Sequence, residues 1–159
     1  MTQSVAVKLL DPRAKLPTYG STDAAGADLY AVTDGPITVE PGQTVLVHTG
    51  LALAIPQGFV GLVYARSGLA TKQGLAPANK VGVIDSDYRG ELIVALYNHG
   101  IDIKTVNHGD RVAQLVIAPY MTAQFVQTEA IDDTLRGSGG FGSTGIKKKR
   151  QRICAAVFY

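Results

Sequence analysis

The residues of this sequence that could carry out chemistry begin with a polar segment set between two apolar runs. Gly82–Leu92 reads Gly-Val-Ile-Asp-Ser-Asp-Tyr-Arg-Gly-Glu-Leu, in which Asp85 directly follows the β-branched pair Val83 and Ile84. A carboxylate at the end of an apolar strand could act as a general base, and the ring of Tyr88 could lie against a sugar. The same residue types also favour ordinary solvated turns, so this segment alone leaves both interpretations open.

Three further side chains have the chemistry to bind phosphate. Arg66 and Ser67 stand between a predicted strand and a predicted short helix, where a guanidinium and free amides would form an anion site. A capped helix with no ligand is the alternative. Gln114 interrupts the apolar run Val112–Ile117 and needs a hydrogen-bond partner, which a phosphate or another strand would supply.

The glycine-rich segment Thr134–Gly145 carries ligand-binding residue types that a simple linker rarely has. Arg136, Ser143 and Thr144 could bind phosphates, and Phe141 could stack on a flat ring. Because glycine loses the most backbone freedom on ordering, we expect this segment to act as a lid that orders over a ligand. Together with the side chains above, it predicts a nucleoside triphosphate as the ligand.

Short apolar segments separated by turns predict the elements that must position these residues. One helix is predicted over Leu69–Gln73, with Ser67 as its N-cap and Gly74 as its C-cap, and Gly82–Leu92 is expected to form a β-hairpin with a polar tip. Thr44–Ile55 is expected to be a strand pair or one long strand bent at Thr49-Gly50. The other predicted strands are Ser4–Leu10, Ala24–Ala31, Ile37–Val39, Phe59–Ala65, Leu92–Asn98, Ile101–Val106, Arg111–Tyr120 and Gln124–Gln127. This pattern indicates an all-β fold, a distorted jelly roll or β-barrel with one short helix.

Length and composition indicate one ordinary domain. The 159 residues, 46% of them hydrophobic and 18% charged, suffice for a buried core without disulfide or metal staples. The single cysteine, Cys154, excludes an internal disulfide framework and fits a reducing, cytoplasmic location. No apolar run is long enough to cross a membrane, and Met1–Leu10 lacks the layout of a secretory signal.

The formal net charge of +2 combines an acidic body with a basic tail. Lys147–Arg152 holds five of the fifteen Lys and Arg residues and all thirteen acids precede it, so ten bases against thirteen acids leave the body at −3. A body of that sign argues against nucleic acid as a partner, apart from a weak contact by the tail. The basic run is compatible with a nuclear-import signal, which would make the location nuclear, with a nucleic-acid tether, or with a solvated charge run. We expect residues 146–159, a tail of unknown role, to be disordered.

Five ordered segments of the sequence resemble the motifs of trimeric dUTPases. These are Ala25–Ala31, Arg66–Ala70, Gly82–Gly90, Gly109–Leu115 and Arg136–Gly145. One departure is Ala65, which stands where the family often has proline. The resemblance implies a homotrimer of jelly-roll subunits, with residues 1–135 as the β-barrel core and 136–145 as a phosphate-binding arm. The implied activity is hydrolysis of dUTP to dUMP and diphosphate, which keeps uracil out of DNA and supplies dUMP for thymidylate synthesis.

The resemblance also implies roles for individual residues. Asp85 matches the carboxylate that activates a water to attack the α-phosphate, and Asp28 matches the acid that contacts the Mg²⁺ cofactor indirectly, through water. From its own surroundings Asp28 is equally compatible with an acid that caps a backbone amide. The substrate-binding matches are Arg66, Ser67, Gly68 and Gln114 for the triphosphate; Asn79, Gly82, Val83 and Ile93 for the uracil pocket; Tyr88 for the deoxyribose; and Arg136, Phe141, Gly142, Ser143 and Thr144 for the arm, which in the family reaches a neighbouring subunit's site.

Two rival functions stay open at the level of sequence. A bifunctional dCTP deaminase–dUTPase would share the fold, but it needs a carboxylate placed to activate attack on cytosine C4. A non-catalytic dUTP-binding regulator would signal through its lid and basic tail. The intact Asp85 and the complete arm count against an inactive enzyme, but they do not exclude a second, binding role.

Overall fold

The computed structural model describes residues 3–140, so Phe141, Gly142, Ser143, Thr144 and the tail 146–159 lie outside the described residues. The elements in sequence order are β1 (Ala6–Leu9), β2 (Thr18–Tyr19), β3 (Ala27–Tyr30), β4 (Ile37–Val39), β5 (Thr44–Ala54), β6 (Phe59–Tyr64), α1 (Ser67–Gln73), β7 (Leu75–Pro77), β8 (Val81–Ile84), β9 (Glu91–Asn98), β10 (Lys104–Val106) and β11 (Arg111–Pro119).

Two antiparallel sheets share one hydrophobic core. The first has the strand order β1-β5-β9-β7 and the second the order β2-β3-β11-β6-β8, while β10 and β4 form a separate two-stranded ribbon. Leu51 and Leu96 of the first sheet and Leu29 and Val112 of the second belong to the same buried cluster, because alternate residues of each strand face inward. The predicted all-β fold with one short helix is confirmed, and within residues 3–140 no sheet closes into a barrel.

The helix α1 follows β6 and ends as the sequence predicts. Gly74 is the C-cap in the left-handed conformation, with φ of 70°, which glycine adopts without a steric penalty. The predicted N-cap is wrong. Arg66 takes that position with no side-chain cap, and Ser67 is the first helical residue, so the hydroxyl of Ser67 is not used to cap the helix.

The predicted hairpin at Gly82–Leu92 is wrong in its pairing. β8 pairs with β6, whereas β9 pairs with β5 and β7, so residues 85–90 connect one sheet to the other. A short polar connection between two apolar runs suits either arrangement, and each strand here pairs with a long partner in its own sheet. The strand predicted at Gln124–Gln127 is also wrong, since that segment has no strand.

The strand β5 is one long bent strand, the second of the two predicted alternatives. Its pairing with β9 shifts register between His48 and Ala52, and Gly50 in the shift has φ of +67°. The carboxylate of Glu91, the first residue of β9, accepts the Gly50 N–H at 2.8 Å and lies 2.8 Å from Nδ1 of His48. Hydrogen bonds to the Glu91 carboxylate therefore join the bulge in β5 to the start of β9.

By its internal contacts the protein divides into two units, one ending at Thr122 and one beginning at Ala123. In the second unit, residues 123–140 form no helix or strand. A turn there has Gly137 donating to the carbonyl of Thr134 at 2.9 Å and Arg136 Nε donating to the carbonyl of Gly139 at 2.8 Å. Across the described residues, no helix is long and apolar enough to span a membrane.

Candidate active site

A buried carboxylate and two polar side chains meet near the middle of the second sheet. Asp28 of β3 lies opposite Gln114 of β11, which lies opposite Tyr64 at the end of β6. Arg66 follows two residues later and donates from Nε to Asp28 Oδ1 at 2.7 Å, while Gln114 Nε2 lies 3.4 Å from the same oxygen. Gln114 therefore has the partner that its place in an apolar run requires, and Asp28 is only 3% exposed.

Arg111, which the sequence analysis did not single out, also binds this carboxylate. Its Nη1 donates to Asp28 Oδ2 at 3.1 Å. Strict alternation along β11 would put Arg111 and Gln114 on opposite faces, but a register shift between Arg111 and Ala113 adds a residue to the strand and brings both onto the face of Asp28. We call Asp28, Arg66, Arg111 and Gln114 the Asp28 cluster.

A cleft of about 290 Å³ opens beside the Asp28 cluster. Two cations, a hydroxyl and two side-chain amides line it, and such donors suit a ligand rich in anionic oxygen atoms. One of these cations, Lys72, was not predicted, although it lies four residues after Gly68 and hence on the same side of α1. The residues that line the cleft are Arg66, Ser67, Gly68, Leu69, Lys72, Gln73 and Gln114.

A second cleft, of about 200 Å³, lies where β8 and β9 diverge. Asp85 borders it with an exposed side chain that makes no hydrogen bond to any described residue, so its carboxylate is free to bind a water. The Tyr88 hydroxyl donates to the carbonyl of Glu91 at 3.0 Å, which fixes the ring against its own turn. Val83, Ile84, Glu91 and Ile93 complete the lining.

The two strands beside this cleft have open backbone edges. β8 is the last strand of its sheet. In β9, the Leu92 carbonyl accepts a bond from Thr49 of β5, and the Ala95 carbonyl accepts the N–H of Ala78 on the opposite side. Because peptide groups alternate sides along a strand, Ile93 turns its N–H and C=O away from β5. Among the described residues, pairing on that side ends at the Ala78–Ala95 bond, so the edge at Ile93 is unpaired.

Asn79 and Gly82 lie next to each other at the start of β8. The Asn79 amide nitrogen is 3.1 Å from the position that a Cβ on Gly82 would occupy. Gly82 is buried and Asn79 is exposed. A side-chain amide is thus held over the buried backbone of β8, two residues before the partly buried Ile84 and three before the exposed Asp85.

The two clefts lie far apart on a single copy of the protein. Asp28, Gln114, Tyr64 and Val81 form one row across four strands, and Asp85 lies four residues beyond Val81. With ~3.3 Å per residue and ~4.8 Å per strand, the backbones of Asp28 and Asp85 are about 20 Å apart. Arg66 lies beyond the opposite end of β6, so the structure does not bring the predicted catalytic acid and the predicted phosphate ligands of one copy together.

The acidic residues suit a metal held mainly by its ligand. Among residues 3–140, no three His, Cys, Asp or Glu side chains are grouped as a metal site. Mg²⁺ in nucleotide sites usually takes one or two carboxylates and completes its shell with phosphate oxygens and water. Asp28 fits such an outer role, although in this structure each of its oxygens accepts a bond from an arginine.

A third cleft, of about 270 Å³, also borders Glu91. Arg13 there lies 2.8 Å from Asp11 and 2.9 Å from Asp34. The side-chain hydrogen bond from Arg13 lowers the pKa of Asp11 to about 2. None of the predicted site residues lies in this cleft, and its charged groups are largely paired with one another.

The family model of dUTPase matches residues 12–145. Deoxyuridine 5'-triphosphate nucleotidohydrolases from Desulfitobacterium hafniense (strain DSM 10664 / DCB-2) and Syntrophotalea carbinolica are each 51% identical to this protein. The first match covers 90% of this sequence and 98% of the relative, and the second 91% and 98%.

Solved dUTPase structures share the fold. The dUTPase of Staphylococcus bacteriophage 80alpha with dUPNHPP superposes with a TM-score of 0.83 at 29% identity, covering 91% of this protein and 100% of the phage protein. A mutant dUTPase from phage phi11 of S. aureus, described with a structural Mg(II) ion, gives a TM-score of 0.74 at 27% identity, with coverages of 82% and 100%. With the family model, the relatives and the solved folds in agreement, the protein belongs to the dUTPase family and is a dUTP diphosphatase.

Proposed function

We propose that the protein hydrolyses dUTP to dUMP and diphosphate by in-line attack of a water on the α-phosphate, with Asp85 as general base. The supporting observation is the free, exposed Asp85 carboxylate beside a cleft with open backbone edges. Asp85 holds and deprotonates the water, and the diphosphate leaves as the new P–O bond forms. This activity removes dUTP before its uracil can enter DNA and supplies dUMP for thymidylate synthesis.

Uracil recognition is assigned to the unpaired edges of β8 and β9. A backbone N–H can donate to uracil O4 and a backbone carbonyl can accept from N3–H, with Gly82, Val83 and Ile93 supplying the backbone and Asn79 an amide. Cytosine inverts both partners and would leave buried groups unpaired, which can discriminate by ~10⁴ or more. Thymine adds a methyl group, and overpacking a close-fitting pocket costs about 1–3 kcal/mol.

Selection for deoxyribose is assigned to Tyr88. Its ring is fixed at one end by the bond from its hydroxyl to the Glu91 carbonyl. A ring so fixed can pack on the sugar and leave no room for a 2′-hydroxyl, because a rigid neighbour cannot withdraw to admit an extra oxygen.

The triphosphate is assigned to the cleft beside the Asp28 cluster. Arg66, Ser67, Gly68 and Gln114 line this cleft, and the terminal guanidinium nitrogens of Arg66, the Ser67 hydroxyl, the Gly68 N–H and the Gln114 amide would bind phosphate. Asp28 would contact Mg²⁺ through water, and when bound the ion would neutralise phosphate charge and hold the phosphates in line. Positioning and electrostatic stabilisation by these residues then supply most of the catalysis.

The distance between the clefts implies that one active site takes residues from more than one copy of the protein. Asp85 must reach the α-phosphate, and Arg66 would bind phosphates only one or two P–O–P links further on. That separation is far shorter than the ~20 Å between Asp28 and Asp85 backbones estimated from strand geometry. A homotrimer with shared sites satisfies both requirements. The arm, with Arg136 and Phe141–Thr144, would close over the nucleotide from a further copy.

The test is diphosphate release from dUTP, dTTP, dCTP and UTP in parallel, with and without Mg²⁺. We expect Mg²⁺-dependent release from dUTP alone. Asp85→Asn should lower the rate by ~10²–10⁴-fold while binding of a non-hydrolysable dUTP analogue survives, whereas Asp87→Asn, in the same turn, should stay near the wild-type rate. Release from dCTP would instead indicate the bifunctional deaminase. Tight dUTP binding without release from any nucleotide would contradict catalysis and indicate a regulator.

A further inference from the structure

We propose that Arg111 is a positioning residue that keeps the terminal nitrogens of Arg66 available for phosphate. The inference rests on the phosphate-binding role proposed for Arg66. Arg111 itself does not line the phosphate cleft, so its action would pass through the carboxylate that both arginines share.

The hydrogen bonds of Asp28 give the mechanism. Arg66 uses only Nε, on Oδ1 at 2.7 Å, and Arg111 Nη1 occupies Oδ2 at 3.1 Å. A guanidinium readily forms a second, parallel bond to a carboxylate whose other oxygen is free. By holding Oδ2, Arg111 prevents Arg66 from turning side-on into a two-pronged pair that would consume a terminal nitrogen.

Because Asp28 is buried, its Oδ2 must be bound by a protein donor, and Arg66 can take that place if Arg111 is absent. Asp28 is 3% exposed, so a free Oδ2 could not turn to bulk water and would seek the nearest donor. Arg66 already holds the other oxygen at 2.7 Å and is partly buried beside it, so it is a donor at hand, as is the Gln114 amide. With Arg111 present the three charged groups sum to +1, which leaves a positive charge for an anionic ligand. Without it, Asp28 and Arg66 would neutralise each other.

The side chain of Arg111 suits a supporting role. It is about half exposed, unlike Asp28 and Arg66, and the bulge in β11 directs it to the face of Asp28. Removing it should therefore leave the core intact and change the pairing of the other two groups.

The experiment is a double-mutant cycle read by the affinity of the assembled enzyme for inorganic pyrophosphate. We expect Arg111→Met to weaken pyrophosphate binding about tenfold and Arg111→Lys to stay within about threefold of wild type. In an Asp28→Asn background, whose carboxamide has only one oxygen and no charge, Arg111→Met should change the affinity less than about twofold. Lys8→Met, on the exposed side of β1, controls for the loss of one positive charge.

Three results would overturn the proposal. An unchanged pyrophosphate affinity with a lower melting temperature would make Arg111 a purely structural residue. Equal losses in both backgrounds would mean that Arg111 acts directly on the phosphate. If the wild type does not bind pyrophosphate, the cleft beside the Asp28 cluster is not a phosphate site and the proposal fails. Arg111→Gln, a neutral donor, replaces the Met variant in the cycle if that variant does not assemble.

Hydrolysis of dUTP by the wild type is measured alongside and separates this inference from the proposed function. Hydrolysis without coupling between positions 28 and 111 leaves the function standing and refutes the role of Arg111. Coupling between positions 28 and 111 without hydrolysis would support the role of Arg111 and refute the proposed function.

Discussion

At the scale of single residues, Tyr88 shows how a turn can shape a specificity element from its own backbone. The hydroxyl bonds to the Glu91 carbonyl, and the ring lies over Gly90 so closely that a Cβ there would be 2.6 Å from the ring carbon Cζ. Tyr88 is 45% exposed and lines the cleft, so part of it is open to a ligand. The absence of a side chain at position 90 therefore sets the height of the ring above the turn.

Gly90→Ala should displace this ring and weaken the rejection of ribonucleotides. We expect the kcat/KM of UTP relative to dUTP to rise about tenfold, with the free energy of unfolding lowered by about 1 kcal/mol. Competition between the two nucleotides in one reaction measures the ratio. Gly35→Ala, where a Cβ would meet nothing within 4 Å, is the matched control. A wild-type ratio in Gly90→Ala would mean that the ring does not select the sugar.

Residue types predicted that Gln114 needs a partner, because it interrupts an apolar run; the phosphate chemistry of Gln114 and Arg66 stays a prediction. Arg111 was missed for a geometrical reason. Period-two alternation assigns residues 111 and 114 to opposite faces, and no residue type in Val112–Ala113 signals the bulge that reverses this. Lys72 was missed because a lysine on a short helix has the composition of an ordinary solvated surface.

At the scale of elements, the bulge in β5 supports the turn that holds Tyr88. Glu91 accepts the Gly50 N–H and contacts His48 through its carboxylate, and its carbonyl accepts the Tyr88 hydroxyl. The bend in one sheet is thus linked through a single residue to the cleft between the sheets. Gly50 permits the bend, because its φ of +67° is one that other residues adopt only with strain.

Gly50→Ala should destabilise the protein through both backbone strain and contact. A Cβ at position 50 would lie 2.8 Å from Cβ of Ala14 and 3.0 Å from that of Asp11, so we expect the free energy of unfolding to fall by about 2–4 kcal/mol. Gly42→Ala has similar strain, with φ of +75°, but open space around the new Cβ, and should lose about 1–2 kcal/mol. Urea denaturation at one fixed protein concentration compares them. Equal losses would show that the contact contributes nothing.

Most strands could be predicted because their apolar runs are bounded by proline, glycine or asparagine, and β4 has the predicted bounds of Ile37–Val39. The pairing of β8 with β6 could not be predicted from the sequence. It depends on which distant strand lies beside β8 in the folded sheet, and the residues of the local turn do not determine that. The N-cap was predicted one residue too late, at Ser67 instead of Arg66. The sequence does not show whether a serine is the cap before a helix or its first helical residue.

At the scale of the whole molecule, the second sheet separates two sets of functional groups. The Asp28 row and the Asp85 end of β8 are held by three consecutive ladders of one sheet, so no local rearrangement can bring them together. The proposed trimer turns this separation into a requirement for assembly, because each copy would supply the phosphate cluster of one site and the catalytic carboxylate of another.

Mixing two inactive variants tests this arrangement. Asp85→Asn and Arg66→Gln should each be inactive alone, while random co-assembly should restore about a quarter of the wild-type rate, because about one site in four then receives both intact residues. Arg66→Gln mixed with Gln114→Met, two changes in one cluster, should restore almost nothing. Activity is assayed after co-refolding. No recovery in the first mixture would place both residues of a site on one copy.

The unpaired edges of β8 and β9 have a consequence for resistance to inhibitors. Base recognition there is assigned to peptide groups, and every amino acid except proline presents the same N–H and C=O. A uracil analogue that binds only through these groups would retain its hydrogen bonds after most single substitutions of Val83 or Ile93. Escape from such a compound would have to come through the shape of the pocket or the position of a strand, changes that also threaten the binding of dUTP itself.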